Sequence, residues 1–324
     1  MPTRHVVCNM SQIFESSQTT HVSPTLAVVT VIISRDRYLS PVRVQCLHWA
    51  DETTAGSTLD CTQATLRART LTFLARIGQF PRALYTINMT NEFRPALIVV
   101  DVQEDFCPPN GSLAVPEGRD IVAPINKLLD LPFVLKVATK DWHPQDHISF
   151  AANHAGKQPF VDFATIVNPD NAAESYSSRL WPVHCVQGTP GAELLPELEA
   201  DKLDEILEKG TDRRVEMYSP FYDPFGISDS GLAGLLRAHA VTDVYVVGLA
   251  GDYCVKACAE DAAKEGFRTY LIEECTRAVD AGAWPLCRKA LEEGSRARVV
   301  SLEGPEVLRL SSPSLMTAAP AQSR

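Results

Sequence analysis

Residues 96–101 read Ala-Leu-Ile-Val-Val-Asp, and this short stretch decides the fold. Five consecutive apolar residues, three of them β-branched, are typical of a parallel strand that is buried on both faces. A second run of this kind, Val-Tyr-Val-Val at residues 244–247, leads through Gly-Leu-Ala-Gly into a segment with helical periodicity. Both runs therefore predict central strands of a parallel sheet.

Outward from these two runs, predicted strands alternate with predicted helices along most of the chain. A helix over 118–131, for example, would place Ile121, Ile125 and Leu128 on one apolar face. We predict further strands at 133–139, 203–207, 268–272 and 297–302, and further helices at 230–239, 254–266 and 283–293. This alternation predicts an α/β fold with three layers (α/β/α) around a mostly parallel, Rossmann-like sheet of six strands.

The composition is that of a globular protein and argues against several partners. Apolar residues make up 45% of the 324 residues and charged residues 22%, which is ordinary for a chain that buries a core. A net charge of −10 argues against nucleic acid as a partner. No apolar run approaches the ~20 residues that cross a bilayer, and no secretory signal is visible. Nine cysteines without regular spacing favour a reduced, intracellular compartment, first of all the cytoplasm, with nucleus and peroxisome left open.

The first 88 residues differ from the remainder of the chain. They contain eight arginines, no lysine and five acidic residues, a net charge of +3. This composition permits a mitochondrial transit peptide. We favour a poorly ordered extension, or a mistaken upstream start with Met89 as the true initiator. The predicted organisation is therefore an extension at 1–88, one α/β domain at 89–311 and a flexible tail, rich in Ser, Pro and Ala, at 312–324.

Reactive side chains follow the predicted strands at their carboxyl ends. Asp101 ends the first strand, Asp141 and His143 follow the second, Lys209 follows the third, and Cys254 follows the fourth. In open parallel sheets these strand ends meet at one edge, where ligands bind. We therefore expect the five side chains to line one active site.

Cys254 is the candidate nucleophile. At a strand–turn–helix junction, free N–H groups and the helix dipole would stabilise its thiolate and lower the pKa of its thiol. The alternative is that Cys254 is a small buried residue like Cys258, one turn later. Asp101 would act as general base and then as general acid, while Lys209 would hold the carboxylate ionised. Taken alone, a strand-end aspartate more often caps a loop, and a lysine is more often a surface charge.

A second constellation has the residue types of a mononuclear divalent-metal site. Asp141 and His143 lie two residues apart, and His184 follows some forty residues later. His147 lies in the same loop and is a candidate for an outer position around that site. A substrate pocket with aromatic walls would draw on three rings that could equally belong to the core: Phe106, Trp181 and Tyr218.

Five blocks of the sequence resemble the nicotinamidase branch of the isochorismatase-like hydrolases, and especially its fungal members. The resemblance covers about residues 93–303. The Asp, Lys and Cys elements are shared across that family, while Asp-x-His together with Trp-Pro-x-His marks the nicotinamidases. The blocks are Val-Asp-Val-Gln-Glu-Asp-Phe at 100–106, Lys-Asp-Trp-His-Pro at 140–144, Trp-Pro-Val-His-Cys at 181–185, Lys-Gly at 209–210 and Gly-Leu-Ala-Gly-Asp-Tyr-Cys-Val at 248–255.

The resemblance implies a metal-dependent cysteine amidohydrolase of NAD salvage. Such an enzyme converts nicotinamide to nicotinate and ammonia, and we expect it to accept pyrazinamide. The resemblance further implies one divalent metal per subunit, Zn²⁺ in the first place, and an oxyanion hole formed by the N–H groups of Ala250 and Cys254 after a cis peptide bond before Ala250. Rival hypotheses are an amidohydrolase of another small amide or carbamoyl compound, and a non-catalytic metal-binding interaction protein. A homo-oligomer is left open.

Overall fold

The structure is a computed structural model that describes residues 93–311 and four short strands nearer the amino terminus. These strands are β1 (Val31–Ile33), β2 (Val44–Cys46), β3 (Leu71–Phe73) and β4 (Tyr85–Ile87). They form two antiparallel pairs, β1 with β2 and β3 with β4. The chain divides into two compact units, Met1–Thr90 and Asn91–Arg324. The rest of 1–88, Met89 and the tail at 312–324 lie outside the described residues, so the interpretation of these segments stays a prediction.

Eight further strands belong to the second unit. They are β5 (Pro95–Val100), β6 (Leu135–Asp141), β7 (Phe163–Asn168), β8 (Asn171–Arg179), β9 (Glu205–Lys209), β10 (Asp243–Leu249), β11 (Arg268–Arg277) and β12 (Arg298–Val300). Six of them form one parallel sheet in the order β12-β11-β10-β5-β6-β9. The remaining two, β7 and β8, pair as an antiparallel hairpin. The predicted parallel sheet of six strands is therefore confirmed.

Helices cover both faces of this sheet. This follows from the side chains of β5, which alternate between two hydrophobic clusters, each containing residues of a helix. Leu97 and Val99 belong to the cluster that contains Ile125 of α1, whereas Ile98 belongs to the cluster that contains Cys258 of α3. The predicted three-layer α/β/α fold is thus confirmed. The helices are α1 (Val122–Leu129), α2 (Leu232–Ala238), α3 (Lys256–Lys264), α4 (Trp284–Gly294) and α5 (Pro305–Leu308).

Two local features differ from what the sequence predicted. The helix expected to begin near Cys254 begins instead with a π-helical turn, Gly251–Val255, and α3 follows it. The hairpin of β7 and β8 was not predicted at all, because Asn171–Arg179 is exposed almost throughout and lacks an alternating apolar pattern. Within the described residues, no helix is long and apolar enough to cross a membrane. The six cysteines of the described domain are all free.

The centre of the sheet is the place where the order of the strands reverses. β5 and β10 are neighbours there, although the four strands β6 to β9 lie between them in the chain. Gly248 in β10 has a φ of +128°, and a Cβ atom on it would lie 2.1 Å from the carbonyl oxygen of Val100. Only glycine permits this close approach of the two strands. Asp101 and Cys254 both follow this point, which is where open α/β sheets bind ligands.

Candidate active site

Lys209 is the centre of the polar group at this edge of the sheet. Its Nζ lies 2.9 Å from Asp101 Oδ2 and contacts Asp141 Oδ1. The same Nζ lies 3.5 Å from Cys254 Sγ and donates a hydrogen bond of 3.3 Å to the carbonyl of Met217. Lys209 is only 1% exposed, and its three charged or reactive partners are buried as well. The structure therefore brings together the base, lysine and nucleophile that the sequence predicted.

Asp101 is held in place by Thr139 on the neighbouring strand β6. Thr139 Oγ1 donates a hydrogen bond of 2.6 Å to Asp101 Oδ1, and the amide of Asp101 donates to the carbonyl of Thr139 at 3.2 Å. Asp101 itself adopts the left-handed conformation, with a φ of 51°. Burial raises the pKa of the Asp101 carboxyl, although Lys209 and the Thr139 hydroxyl oppose the rise. Sequence reasoning missed Thr139.

The expected lowering of the Cys254 pKa was wrong. Burial raises the pKa of this thiol well above its ordinary value, and Asp101 and Asp141 add to the rise, while Lys209 opposes it. Burial alone would lower the pKa of Lys209, but the two carboxylates outweigh it and raise that pKa. The resting site therefore contains a neutral thiol beside a protonated lysine.

Asp141, His143 and His184 form a compact group of ligand atoms, as predicted. Asp141 Oδ2 lies 3.5 Å from His143 Nε2 and 3.8 Å from His184 Nε2. His143 Nδ1 lies 2.8 Å from the carbonyl oxygen of Gly210, and His184 Nδ1 lies 2.8 Å from the carbonyl oxygen of Pro182. These carbonyls orient both rings so that Nε2 faces the carboxylate, the usual support of a metal-bound histidine. The donor set fits a divalent cation such as Zn²⁺.

Two other groups of metal-ligand types lie close by. Asp101, Asp141 and Cys254 could hold a cation by their mutual distances, but the ammonium of Lys209 already lies among them. Since that position is filled by an ammonium, the Asp141, His143 and His184 group is the better candidate for a metal.

The second neighbouring group comprises His143, His147 and Glu216. The ring of His147 lies 4.0 Å from that of His143, in agreement with the predicted outer position. Its Nδ1 lies 2.7 Å from Ser149 Oγ, and burial lowers the pKa of this imidazole well below its ordinary value. Glu216 is buried, with only 3% of its surface exposed. The sequence reasoning missed it, because an isolated glutamate between two strands carries no motif. Burial raises the pKa of its carboxyl.

The aromatic side chains predicted to form a pocket lie beside these groups. Trp181 Nε1 donates a hydrogen bond of 3.0 Å to the hydroxyl of Tyr218. The ring of Phe106 packs edge-on against His184, with centroids 5.5 Å apart. Tyr253 also joins this cluster, 4.7 Å from the Trp181 ring and 5.4 Å from that of Tyr218. Sequence reasoning missed Tyr253 as an aromatic neighbour, although it immediately precedes the candidate nucleophile.

The backbone before Cys254 departs from one expectation. Among the described residues, the cis peptide bond lies between Pro108 and Pro109, so the expected cis bond before Ala250 was wrong. Ala250 instead takes the left-handed conformation, with a φ of 58°, and this conformation turns the chain from β10 into the π-helical turn. The carbonyl of Ala250 accepts hydrogen bonds from the amides of Tyr253 and Val255 at 2.9 and 3.2 Å. The predicted oxyanion hole at Ala250 and Cys254 stays a prediction.

Similarity to known proteins agrees with this geometry. The isochorismatase domain matches residues 95–301, which is more than half of the chain. The chain belongs to the isochorismatase family. The nicotinamidase of Acinetobacter baylyi is 44% identical over 185 residues, which cover 57% of this chain and 82% of that protein.

Solved structures of this family share the same architecture. The yeast nicotinamidase bound to the inhibitor nicotinaldehyde is 34% identical, with a TM-score of 0.61 over 64% of this chain and 99% of that one. The pyrazinamidase of Pyrococcus horikoshii in complex with zinc is 35% identical, with a TM-score of 0.50 over 64% of this chain and 99% of that one. In both comparisons the similarity covers nearly the whole of the other chain.

Proposed function

We propose that this chain is a nicotinamidase, an enzyme of NAD salvage that hydrolyses nicotinamide to nicotinate and ammonia. The observation that carries the proposal is the position of Lys209. Its ammonium contacts the candidate base Asp101, the candidate nucleophile Cys254 and the candidate metal ligand Asp141 at once. A carboxamide placed at Cys254 would therefore lie next to a proton acceptor and next to a metal site. The activity of similar proteins, including the enzyme of Acinetobacter baylyi, supports this assignment.

Acylation begins with the transfer of a proton from Cys254 to Asp101. The raised pKa of the Cys254 thiol means that it keeps its proton in the resting site, and the raised pKa of Asp101 makes its carboxylate a better acceptor of that proton when a substrate is attacked. The sulfur then forms a bond to the carboxamide carbon, while Asp101 takes the proton as general base. The N–H groups of Ala250 and Cys254 are proposed to bind the oxyanion that forms. Asp101 returns the proton to the amine, and ammonia leaves with a nicotinoyl thioester on the enzyme.

Deacylation uses the same carboxylate, which now takes a proton from water and gives it to the sulfur of Cys254. Asp101, again ionised, accepts a proton from water as the water oxygen attacks the thioester carbon. The carbon–sulfur bond breaks, the proton on Asp101 returns to the sulfur of Cys254, and the product acid loses its remaining proton to solvent and leaves as nicotinate. Lys209 keeps its charge throughout and balances whichever of its partners is anionic.

A metal ion fits the scheme as a means of orienting the substrate. Asp141, His143 and His184 would hold one divalent cation, and we propose Zn²⁺ because two imidazoles and a carboxylate suit it. When bound, this cation supplies a Lewis acid for the ring nitrogen of the substrate. Phe106, Trp181 and Tyr218 are proposed to flank the pyridine ring. Pyrazinamide has a nitrogen at the same ring position, so it should be accepted as well.

Ammonia release from nicotinamide tests the proposal. The purified full-length chain, supplied with Zn²⁺, is mixed with nicotinamide, and ammonia and nicotinate are measured in parallel. Equal amounts of both products would support a nicotinamidase. Hydrolysis of a carbamoyl compound or of another small amide, with nicotinamide neither turned over nor competing, would refute the proposal and support the rival substrate class.

A further inference from the structure

Three polar residues alternate in the turn that follows β5, and two of them have no role in the proposed reaction. Asp101, Gln103 and Asp105 lie two residues apart. Asp101 is the proposed base. Gln103 is fully buried, with 0% of its surface exposed, and Asp105 is partly buried. A buried glutamine at an active site needs partners for its amide, and these partners show what it does.

The side-chain amide of Gln103 forms hydrogen bonds with both the carbonyl and the amide of the Asp141 backbone. Its Nε2 donates hydrogen bonds of 2.8 Å to the carbonyls of Asp141 and Ala192. Its Oε1 accepts a hydrogen bond of 2.8 Å from the amide of Asp141. Both donor hydrogens and the acceptor are thus in use, and two of the three bonds go to one residue.

These bonds extend the β-sheet by one step at the point where the candidate metal ligand lies. The pairing of β5 with β6 runs as far as Val99 and Ala138, before Asp141 is reached. On the other side, Asp141 pairs with Lys209 of β9. The backbone of Asp141 is therefore fixed by a strand on one side and by the Gln103 side chain on the other.

Asp105 makes a similar contact to the loop that carries His184. Its Oδ2 accepts a hydrogen bond of 2.7 Å from the amide of Cys185, the next residue. Cys185 has a φ of 46°, a left-handed conformation that non-glycine residues rarely adopt without support. A Cβ atom at Gly191 would lie 2.2 Å from the same Oδ2. The carboxylate is thus enclosed between two segments of the loop.

We propose that Gln103 and Asp105 are positioning residues. They hold the backbone at two candidate metal ligands, Asp141 and His184, in a fixed position relative to the proposed base Asp101. Gln103 fixes Asp141, and Asp105 fixes the loop at His184. The proposal deepens the function proposed above, and it rests on metal binding by Asp141, His143 and His184. It assigns to one short turn the relative placement of the reaction centre and the metal centre.

The test compares Gln103→Leu with Gln187→Leu. Gln187 is a matched control, because its Nε2 donates a 2.9 Å hydrogen bond to the carbonyl of Trp142, next to Asp141, but the side chain is exposed. Zn²⁺ affinity of the metal-free full-length proteins is measured by competition with a chromophoric chelator, and the visible spectrum is recorded after Co²⁺ is bound. We expect Gln103→Leu to weaken Zn²⁺ binding by about 10–100-fold and to alter the Co²⁺ spectrum, whereas Gln187→Leu should change neither.

A second pair of variants covers the case in which Gln103→Leu fails to fold, as judged by circular dichroism. Asp105→Asn keeps an oxygen that can accept the Cys185 amide, whereas Asp105→Ala has none. We expect Asp105→Ala to weaken Zn²⁺ binding and Asp105→Asn to restore most of the affinity. A folded Asp105→Ala or Gln103→Leu protein with the affinity and Co²⁺ spectrum of the unmodified protein would overturn the inference for that residue.

Metal binding and turnover are read separately, so two failures can be told apart. An unmodified protein that binds Zn²⁺ but releases no ammonia from nicotinamide refutes the proposed reaction, while the comparison of affinities still decides the role of Gln103. An unmodified protein that binds no divalent metal overturns the positioning role itself. Ammonia release together with unchanged Zn²⁺ affinity in the variants would leave the reaction standing and reject the positioning role.

Discussion

The hydrogen bond from Thr139 to Asp101 offers a sharp test of the proposed base. Thr139 is fully buried, and its hydroxyl donates at 2.6 Å to the carboxylate. Thr139→Val removes this donor while nearly keeping the shape of the side chain. The amide of Asp101 donates to both the carbonyl and Oγ1 of Thr139, each at 3.2 Å. The substitution removes only the second of these acceptors, so the carbonyl should keep the backbone in place. Its main effect on the proposed base is therefore the loss of the hydrogen bond to Asp101 Oδ1.

The size and sign of the effect follow from that bond. A hydrogen bond to a charged acceptor contributes about 1.5–3 kcal/mol, and one pKa unit corresponds to about 1.4 kcal/mol. Because the Thr139 hydroxyl favours the ionised carboxylate and lowers its pKa, its loss should raise the pKa of Asp101 further. Asp101 must be ionised to accept the thiol proton in the proposed reaction. The acidic limb of the pH profile should therefore move to higher pH, and kcat/KM on that limb should fall by about 10–100-fold.

The assay is kcat/KM for ammonia release from nicotinamide as a function of pH, which reports groups of the free enzyme. Thr139→Ser keeps a hydroxyl and should keep the limb close to its original position. Thr269→Val is a matched control, since Thr269 is 1% exposed and its hydroxyl donates to the Phe267 carbonyl, away from Asp101. An acidic limb that stays in place in Thr139→Val, or moves equally in Thr269→Val, would refute the role of Asp101 as the base.

Three further predictions address the nucleophile, the metal and the extent of the domain. Cys254→Ala should abolish turnover and keep bound Zn²⁺, because Sγ lies outside the proposed ligand group; retained ammonia release would remove the thioester mechanism. His143→Ala should lose metal and raise KM for nicotinamide, so unchanged metal content and KM would reject its proposed role. A protein that begins at Met89 should stay soluble and fully active, and its aggregation would instead assign residues 1–88 to the domain.

The sequence predicted which side chains meet at the edge of the sheet that carries the candidate site, because parallel strands obey a strict rule. Each buried strand in such a sheet points its carboxyl end to the same side. Asp101, Asp141 and Lys209 could therefore be expected near one another, although the last two lie more than sixty residues apart. Asp141 and Lys209 were expected just after their strands, whereas they are the last residues of β6 and β9. The error is small because the two strands pair in that register.

The residues that support the site could not be found in the same way. Thr139 and Gln103 act on partners that lie 38 positions away in the chain, across a pair of neighbouring strands. Which side chains meet there depends on the register of β5 against β6, and no local pattern records that register. Glu216 is a similar case, because its neighbours His143 and His147 are distant from it in the chain.

The protonation of Cys254 shows where local reasoning misleads. A thiol at the start of a helix is expected to lose its proton easily. Here the thiol shares one cation, Lys209, with two carboxylates that are already buried beside it. A thiolate would add a third anion to this group, and burial makes that anion still more costly. Transfer of the proton to Asp101 leaves the number of anions unchanged. Burial also raises the pKa of Asp101, so in the proposed mechanism this carboxylate takes the thiol proton when a carboxamide is in position to accept the sulfur.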